Sequence, residues 1–141
     1  MRVISEIEIR RLIGPVEAEV EVRRAFASLA RNQATLPDVL FLDIPQHHGE
    51  VHVKGAYLHG APFFAIKAAS GFYGNPSRGL PVATGAVWVF DATTGFLVAL
   101  LLDGGYLTEL RTGAAGAVAA DLLAPSRVET VGILGCGGQA R

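Results

Sequence analysis

Cysteine, methionine and tryptophan occur once each in this chain of 141 residues, and the formal net charge is only −1. A lone Cys136 rules out an internal disulfide framework, which suits a reducing compartment and gives the expectation of a cytoplasmic protein. Lysine and arginine are dispersed, so no basic stripe is available to neutralise a phosphate backbone, and nucleic acid is not an expected partner. No apolar run approaches the ~20 residues that a membrane-spanning helix needs. The acidic, amphipathic start has no signal-peptide pattern, so a membrane is not an expected partner either.

Apolar residues, by contrast, make up 50% of the chain, enough for a core in one ordinary domain. Glycine is also abundant, with 17 residues placed singly or in pairs at turns, which reads as backbone geometry and not as low complexity.

Along the chain, MRVIS reads as a short strand with Ser5 as a cap, followed by a brief helix and a longer one after Gly14-Pro15. In the longer helix Val16, Val20, Val22, Ala25, Phe26, Ala27 and Leu29 give a broad apolar face, while Glu17, Glu19, Glu21, Arg23 and Arg24 point to water. From about Leu40 the period becomes that of strands: VLFLDI, EVHVKGAYL, PFFAIKAAS, VATGAVWVF and FLVALLL. Asp91 and Gly95 bracket the turn between the last two. The predicted fold class is α+β, helices packed on an antiparallel sheet. LTELRTGAAGAVAADLLAP then predicts a helix over about 108–124, capped by Thr108 and stopped by Pro125. VETVGIL predicts a further strand leading into GCGGQ.

That ending carries the clearest motif. Gly135, Gly137 and Ala140 fit G-x-G-x-x-G/A, in which small residues let a backbone turn tightly and approach a pyrophosphate. Strand, then glycine loop, is the context that the motif requires.

Three cations stand out. With Thr108 as cap, Arg111 falls in the first helical turn, where the macrodipole disfavours a cation by roughly a few tenths of a kcal/mol. Glu109 or a bound carboxylate or phosphate would offset it. Lys54 and Lys67 interrupt apolar strand runs, and alternation puts Lys67 on one face with Ala65 and Ala69, opposite Phe64, Ile66 and Ala68. Together these point to a site for a small anionic molecule.

The histidines do not point to metal. His48 and His52 are four apart on a segment read as loop entering strand, where that spacing does not align them, and HGEVH is not HExxH. His47 and His59 read as loop residues. Cys136 lies inside the glycine loop with no base placed beside it.

FAIKAASGFYGNPSRGLP, WVFDATTGFLVALLLDGG, LTELRTGAAGAVAADLLA and VGILGCGGQAR, taken in that order, resemble the ornithine cyclodeaminase/mu-crystallin family, and in particular its ectoine-utilisation members. The resemblance runs from about Glu50 to Arg141. It implies a substrate-binding and dimerisation domain over 1–125 and the start of a Rossmann domain, its first strand and Gly-rich loop, over 126–141. It also implies NAD or NADP as cofactor, a small amino or imino acid as substrate, and a homodimer formed through the sheet domain.

By that resemblance Lys67 and Arg111 hold the substrate carboxylate, and Lys54 matches a basic position that some members use. Thr112, Gly135, Gly137, Gly138, Gln139 and Ala140 match the cofactor side. The implied reaction is hydride transfer at the α-carbon, by a cyclodeaminase or by an imine reductase or dehydrogenase. Val82 stands where ornithine-specific members carry a threonine, and DVLFLDIPQHH has no arginine where many members have one. The family's catalytic aspartate belongs beyond the glycine loop. The sequence is therefore expected to be the N-terminal part of a longer enzyme, inactive alone; the alternatives are a stand-alone dimerisation or binding module and one piece of a split enzyme.

Overall fold

A computed structural model describes residues 1–140. The chain begins with β1 (Arg2–Ser5), α1 (Glu6–Leu12) and α2 (Pro15–Ala30). Ser5 ends the strand and caps α1: its hydroxyl accepts from the Glu8 N–H while the Glu8 carboxylate accepts from the Ser5 N–H at 2.9 Å. Gly14 and Pro15 break and restart the helix, proline taking the first-turn position where its missing N–H costs nothing.

The strands are β2 (Ala34–Thr35), β3 (Leu40–Ile44), β4 (Gly49–Leu58), β5 (Phe63–Phe72), β6 (Ala83–Asp91) and β7 (Leu97–Leu102). They form a seven-stranded sheet in the order β1-β7-β6-β5-β4-β2, with β3 also paired to β4. Every pairing is antiparallel except β1 with β7. The five long strands fall where the alternation predicts them, whereas the two-residue β2, paired with Tyr57 and Leu58, is too short to leave a periodic trace. At the β6–β7 turn, Asp91 Oδ1 accepts from the N–H groups of Thr93 and Thr94, and Gly95 closes the turn on the Asp91 carbonyl.

The register sorts the side chains onto two faces. Lys54, Lys67, Val87, Leu101 and Ile4 lie in one row across β4, β5, β6, β7 and β1. The next row along, Gly55, Ile66, Trp88, Leu100 and Val3, points the other way. Phe64 stacks on Phe90 across that second face, with ring centroids 5.0 Å apart.

All three helices belong to the lysine face. α3 (Tyr106–Leu123) is joined to β5 through Lys67 and Thr108, and to α2 through Arg23, which bridges Glu19 at 3.0 Å and Asp121 at 2.7 Å. α1 reaches α3 through Arg10, whose guanidinium lies 3.9 Å from the Tyr106 ring centroid. The core between sheet and helices is small: Ile9, Ala18, Val87, Ala114 and Val118 are its buried apolar members.

Two expectations change here. α3 begins at Tyr106, with Gly105 as N-cap at φ +98°, a conformation that glycine adopts without a Cβ penalty. Thr108 is thus a first-turn residue and not the cap, and Arg111 sits one turn deeper than predicted. The side-chain cap comes from Asp103, whose Oδ2 accepts from the Leu107 N–H at 2.9 Å. The second change is at 128–134, expected as a strand, which forms none. A first Rossmann strand is held by parallel neighbours, and among the described residues this segment has no ladder partner. Arg141, the last residue of the expected nucleotide-binding segment, lies outside the described residues. No helix among them is long and apolar enough to cross a membrane.

Candidate functional site

Lys54 and Lys67 are direct partners in the β4–β5 ladder, both on the helix-covered face. Like charges directly opposite on a sheet repel, so the pairing costs stability unless something anionic lies between them. The Lys67 ammonium reaches up to α3 and donates to Thr108 Oγ1 at 2.9 Å. Arg111 follows Thr108 by three residues and therefore shares its helix face. Lys54, Lys67 and Arg111 make no ion pair among the described residues.

Half-burial pushes the Lys67 ammonium below the usual lysine range, and the charges of Arg111 and Lys54 push it further, against the opposing pull of Asp103. Three cations thus converge where strand β5 meets the first two turns of α3. Such a cluster suits a carboxylate, which a guanidinium grips through two parallel hydrogen bonds and an ammonium through one.

Glu109 does not neutralise Arg111. Residues two apart on a helix point to different faces, and the Glu109 carboxylate instead lies against Gly138 in the glycine loop. The sequence-predicted residues therefore form two groups. Lys54, Lys67 and Arg111 gather where the sheet meets α3. Thr112, Gly138, Gln139 and Ala140 line a cavity of about 880 Å³ that Val16 and Glu19 of α2 also border.

Gly113, Ala114 and Gly116 of α3 line the same cavity, and Ala114 and Val118 are buried. The small residues of this helix therefore serve both close packing and open space. Within the glycine loop Gly135 has φ +108°, and added Cβ atoms at Gly135 and Gly137 would meet nothing, so both leave room for a pyrophosphate to approach the backbone. Gly138–Ala140 forms a short 3-10 turn. The Thr112 hydroxyl donates within the helix to the Thr108 carbonyl at 2.7 Å.

Asp103 is the functional-site neighbour that the sequence reading passed over. It is fully buried, and its Oδ1 has no hydrogen-bond partner. The available signal was an acidic residue ending an apolar strand on the same parity as Leu101, just before Gly-Gly and a helix.

The histidines are scattered. His47 lies in a short turn and His48 follows it at φ +47°, while the His59 ring lies 3.0 Å from the Thr35 hydroxyl. His52 stands 3.7 Å from Glu50 with its ring against Phe41. Among the described residues no group of three or more His, Cys, Asp or Glu is placed to hold a metal ion. Cys136 is free and exposed.

The chain thus combines a mostly antiparallel sheet with helices on one face, a basic cluster at the start of α3 and a glycine loop beyond it. The sequence matches the ornithine cyclodeaminase/mu-crystallin family over residues 1–141, and the chain belongs to that family. It is 45% identical over 143 residues to a candidate dehydrogenase of Rhizobium meliloti (strain 1021), covering 100% of this chain and 43% of that protein.

Among solved structures, an archaeal alanine dehydrogenase dimer with bound NAD superimposes with a TM-score of 0.91 at 32% identity, over 99% of this chain and 42% of the other. The Thermococcus litoralis Δ1-pyrroline-2-carboxylate reductase in complex with NADH and L-proline gives a TM-score of 0.83 at 31% identity, over 89% of this chain and 38% of the other. This chain spans about 43% of the length of the first curated relatives it matches.

Proposed function

We propose that this chain supplies the substrate-binding part of an NAD(P)-dependent enzyme acting on a small amino or imino acid, a cyclodeaminase or an imine reductase or dehydrogenase. The observation that carries this reading is the convergence of Lys54, Lys67 and Arg111 on one face, none of them ion-paired among the described residues. Lys67 and Arg111 grip the substrate carboxylate and so fix the α-carbon, while Lys54 completes the cationic wall. Orientation of this kind is what a binding domain contributes to a reaction whose chemistry belongs to a cofactor. Thr112, Gly135, Gly137, Gly138, Gln139 and Ala140 would hold NAD or NADP, which when bound supplies or accepts the hydride.

The carboxylate is the discriminating group. Titration calorimetry with L-proline and with prolinamide tests the reading: the acid binds at least tenfold more tightly than the amide. Equal binding, or none, would remove the basis for a carboxylate site.

The same chain forms a homodimer through the sheet face opposite the lysines. Leu40 and Leu42, on the uncovered face, are 58% and 53% exposed. Large apolar side chains left exposed on an open sheet face are characteristic of a surface buried in an assembly.

A further inference from the structure

Asp103 is the one charged side chain buried among the described residues, at 0% exposure. It follows β7 on the same parity as Leu101, which lies in one row with Val87 and Lys67, so it belongs to the helix-covered face. One carboxylate oxygen caps α3 by accepting from the Leu107 N–H at 2.9 Å, and the main-chain carbonyl of Asp103 accepts from the Tyr106 N–H at 2.9 Å. The next residue along, Thr108, takes the Lys67 ammonium. The other carboxylate oxygen is unpartnered. A helix cap requires one oxygen and no charge; asparagine caps as well as aspartate. Burying a full charge with an idle oxygen is costly unless the charge itself acts on something nearby.

We infer that Asp103 is a positioning residue for the cation cluster, its buried carboxylate holding the first turn of α3, and with it the Thr108 hydroxyl that receives Lys67, in place and setting a negative charge on the face where the cations gather. The groups that face Lys67 are Lys54 from β4, Arg111 and Thr108 from α3, apolar Val87 from β6, and Asp103 from the β7–α3 turn. Two of these are cationic and one is anionic. Burial lowers the lysine's proton affinity most, Arg111 and Lys54 lower it further, and Asp103 raises it. The significance of this charge rests on the carboxylate-binding reading, because a neutral lysine would lose much of its hold on a substrate carboxylate.

The test uses Asp103→Asn, which keeps an oxygen for the Leu107 N–H and removes only the charge. NMR titration of the Lys67 ε-carbon in the whole chain gives the readout. The expected result is a midpoint lower than in the unsubstituted chain. An unchanged midpoint in a folded Asp103→Asn chain would overturn the inference, since a purely structural cap would leave Lys67 untouched.

Should that variant fail to fold, a second variant decides. In Asp103→Ser, whose hydroxyl also caps a helix but carries no charge, the Lys67 midpoint falls if the two groups are coupled and stays in place if they are not. L-Proline binding is scored separately on the unsubstituted chain. A shifted Lys67 midpoint without L-proline binding therefore supports the Asp103 inference while removing the carboxylate reading.

Discussion

The Lys67 ammonium donates to the Thr108 hydroxyl at 2.9 Å, tying a central strand of the sheet to the first turn of α3. Through that contact the sheet's inner face and the helix carrying Arg111 become one site. The ammonium is thereby aimed along the helix start and held away from bulk water.

Thr108→Val keeps the shape and removes the acceptor. The half-buried ammonium then loses its hydrogen bond to α3, and stability falls by about 1 kcal/mol. Urea unfolding with an unchanged slope checks this. An unchanged midpoint would mean that water satisfies Lys67 equally well.

The depressed proton affinity of Lys67 gives stability a defined pH dependence. At pH well below its folded value the lysine is charged in both states, and the burial penalty is fully present. As pH rises through the folded value toward the ordinary 10.5, the unfolded chain keeps a proton that the folded chain has released, so this group's contribution to stability rises with pH. Lys67→Met removes that rise. Unfolding midpoints measured across the alkaline range for both chains test it.

Gly85 on β6 is crowded by the neighbouring strand β5, with no space for a side chain. A Cβ there would stand 2.8 Å from the Ala68 carbonyl oxygen and 3.4 Å from the Ala69 Cα, both backbone atoms that cannot yield locally. Gly85→Ala is expected to cost about 1–3 kcal/mol, read as a lowered thermal midpoint. Gly116→Ala, where an added Cβ meets nothing and helix propensity improves, is expected to hold or raise it.

Ile66 and Trp88 are ladder partners on the apolar face opposite the lysines. Ile66→Asp places a charge at the centre of that face. Sedimentation is expected to show a dimer for the unsubstituted chain and a monomer with the same far-UV dichroism for the variant. A monomer in both cases would leave the apolar face without its proposed occupant.

Much of this was legible in the sequence, for reasons tied to particular residues. Alternation put Lys67 opposite Phe64 and Ile66, and that parity holds because a strand has only two faces. The Ser5 cap was legible because it is local and chemical. The start of α3 was not. Asp103 caps it from two residues before Gly105, and a left-handed glycine hides the boundary from a search for a Ser or Thr immediately before the helix.

The role of Asp103 was hidden for the same reason, since its burial depends on β7 and α3 closing over it. Pairing of Lys54 with Lys67 needed the β4–β5 register, which neither strand encodes alone. At 128–134 the apolar, β-branched run has strand chemistry but no neighbour to pair with among the described residues.

The measurement that bears most directly on the account is the NMR response of the Lys67 ε-carbon and the Arg111 guanidinium to L-proline, with prolinamide as control. The account predicts that both resonances move together and saturate with the acid, that the amide leaves them in place, and that Arg111→Met abolishes the response at Lys67. Resonances that stay put under L-proline, or move equally with the amide, would contradict it.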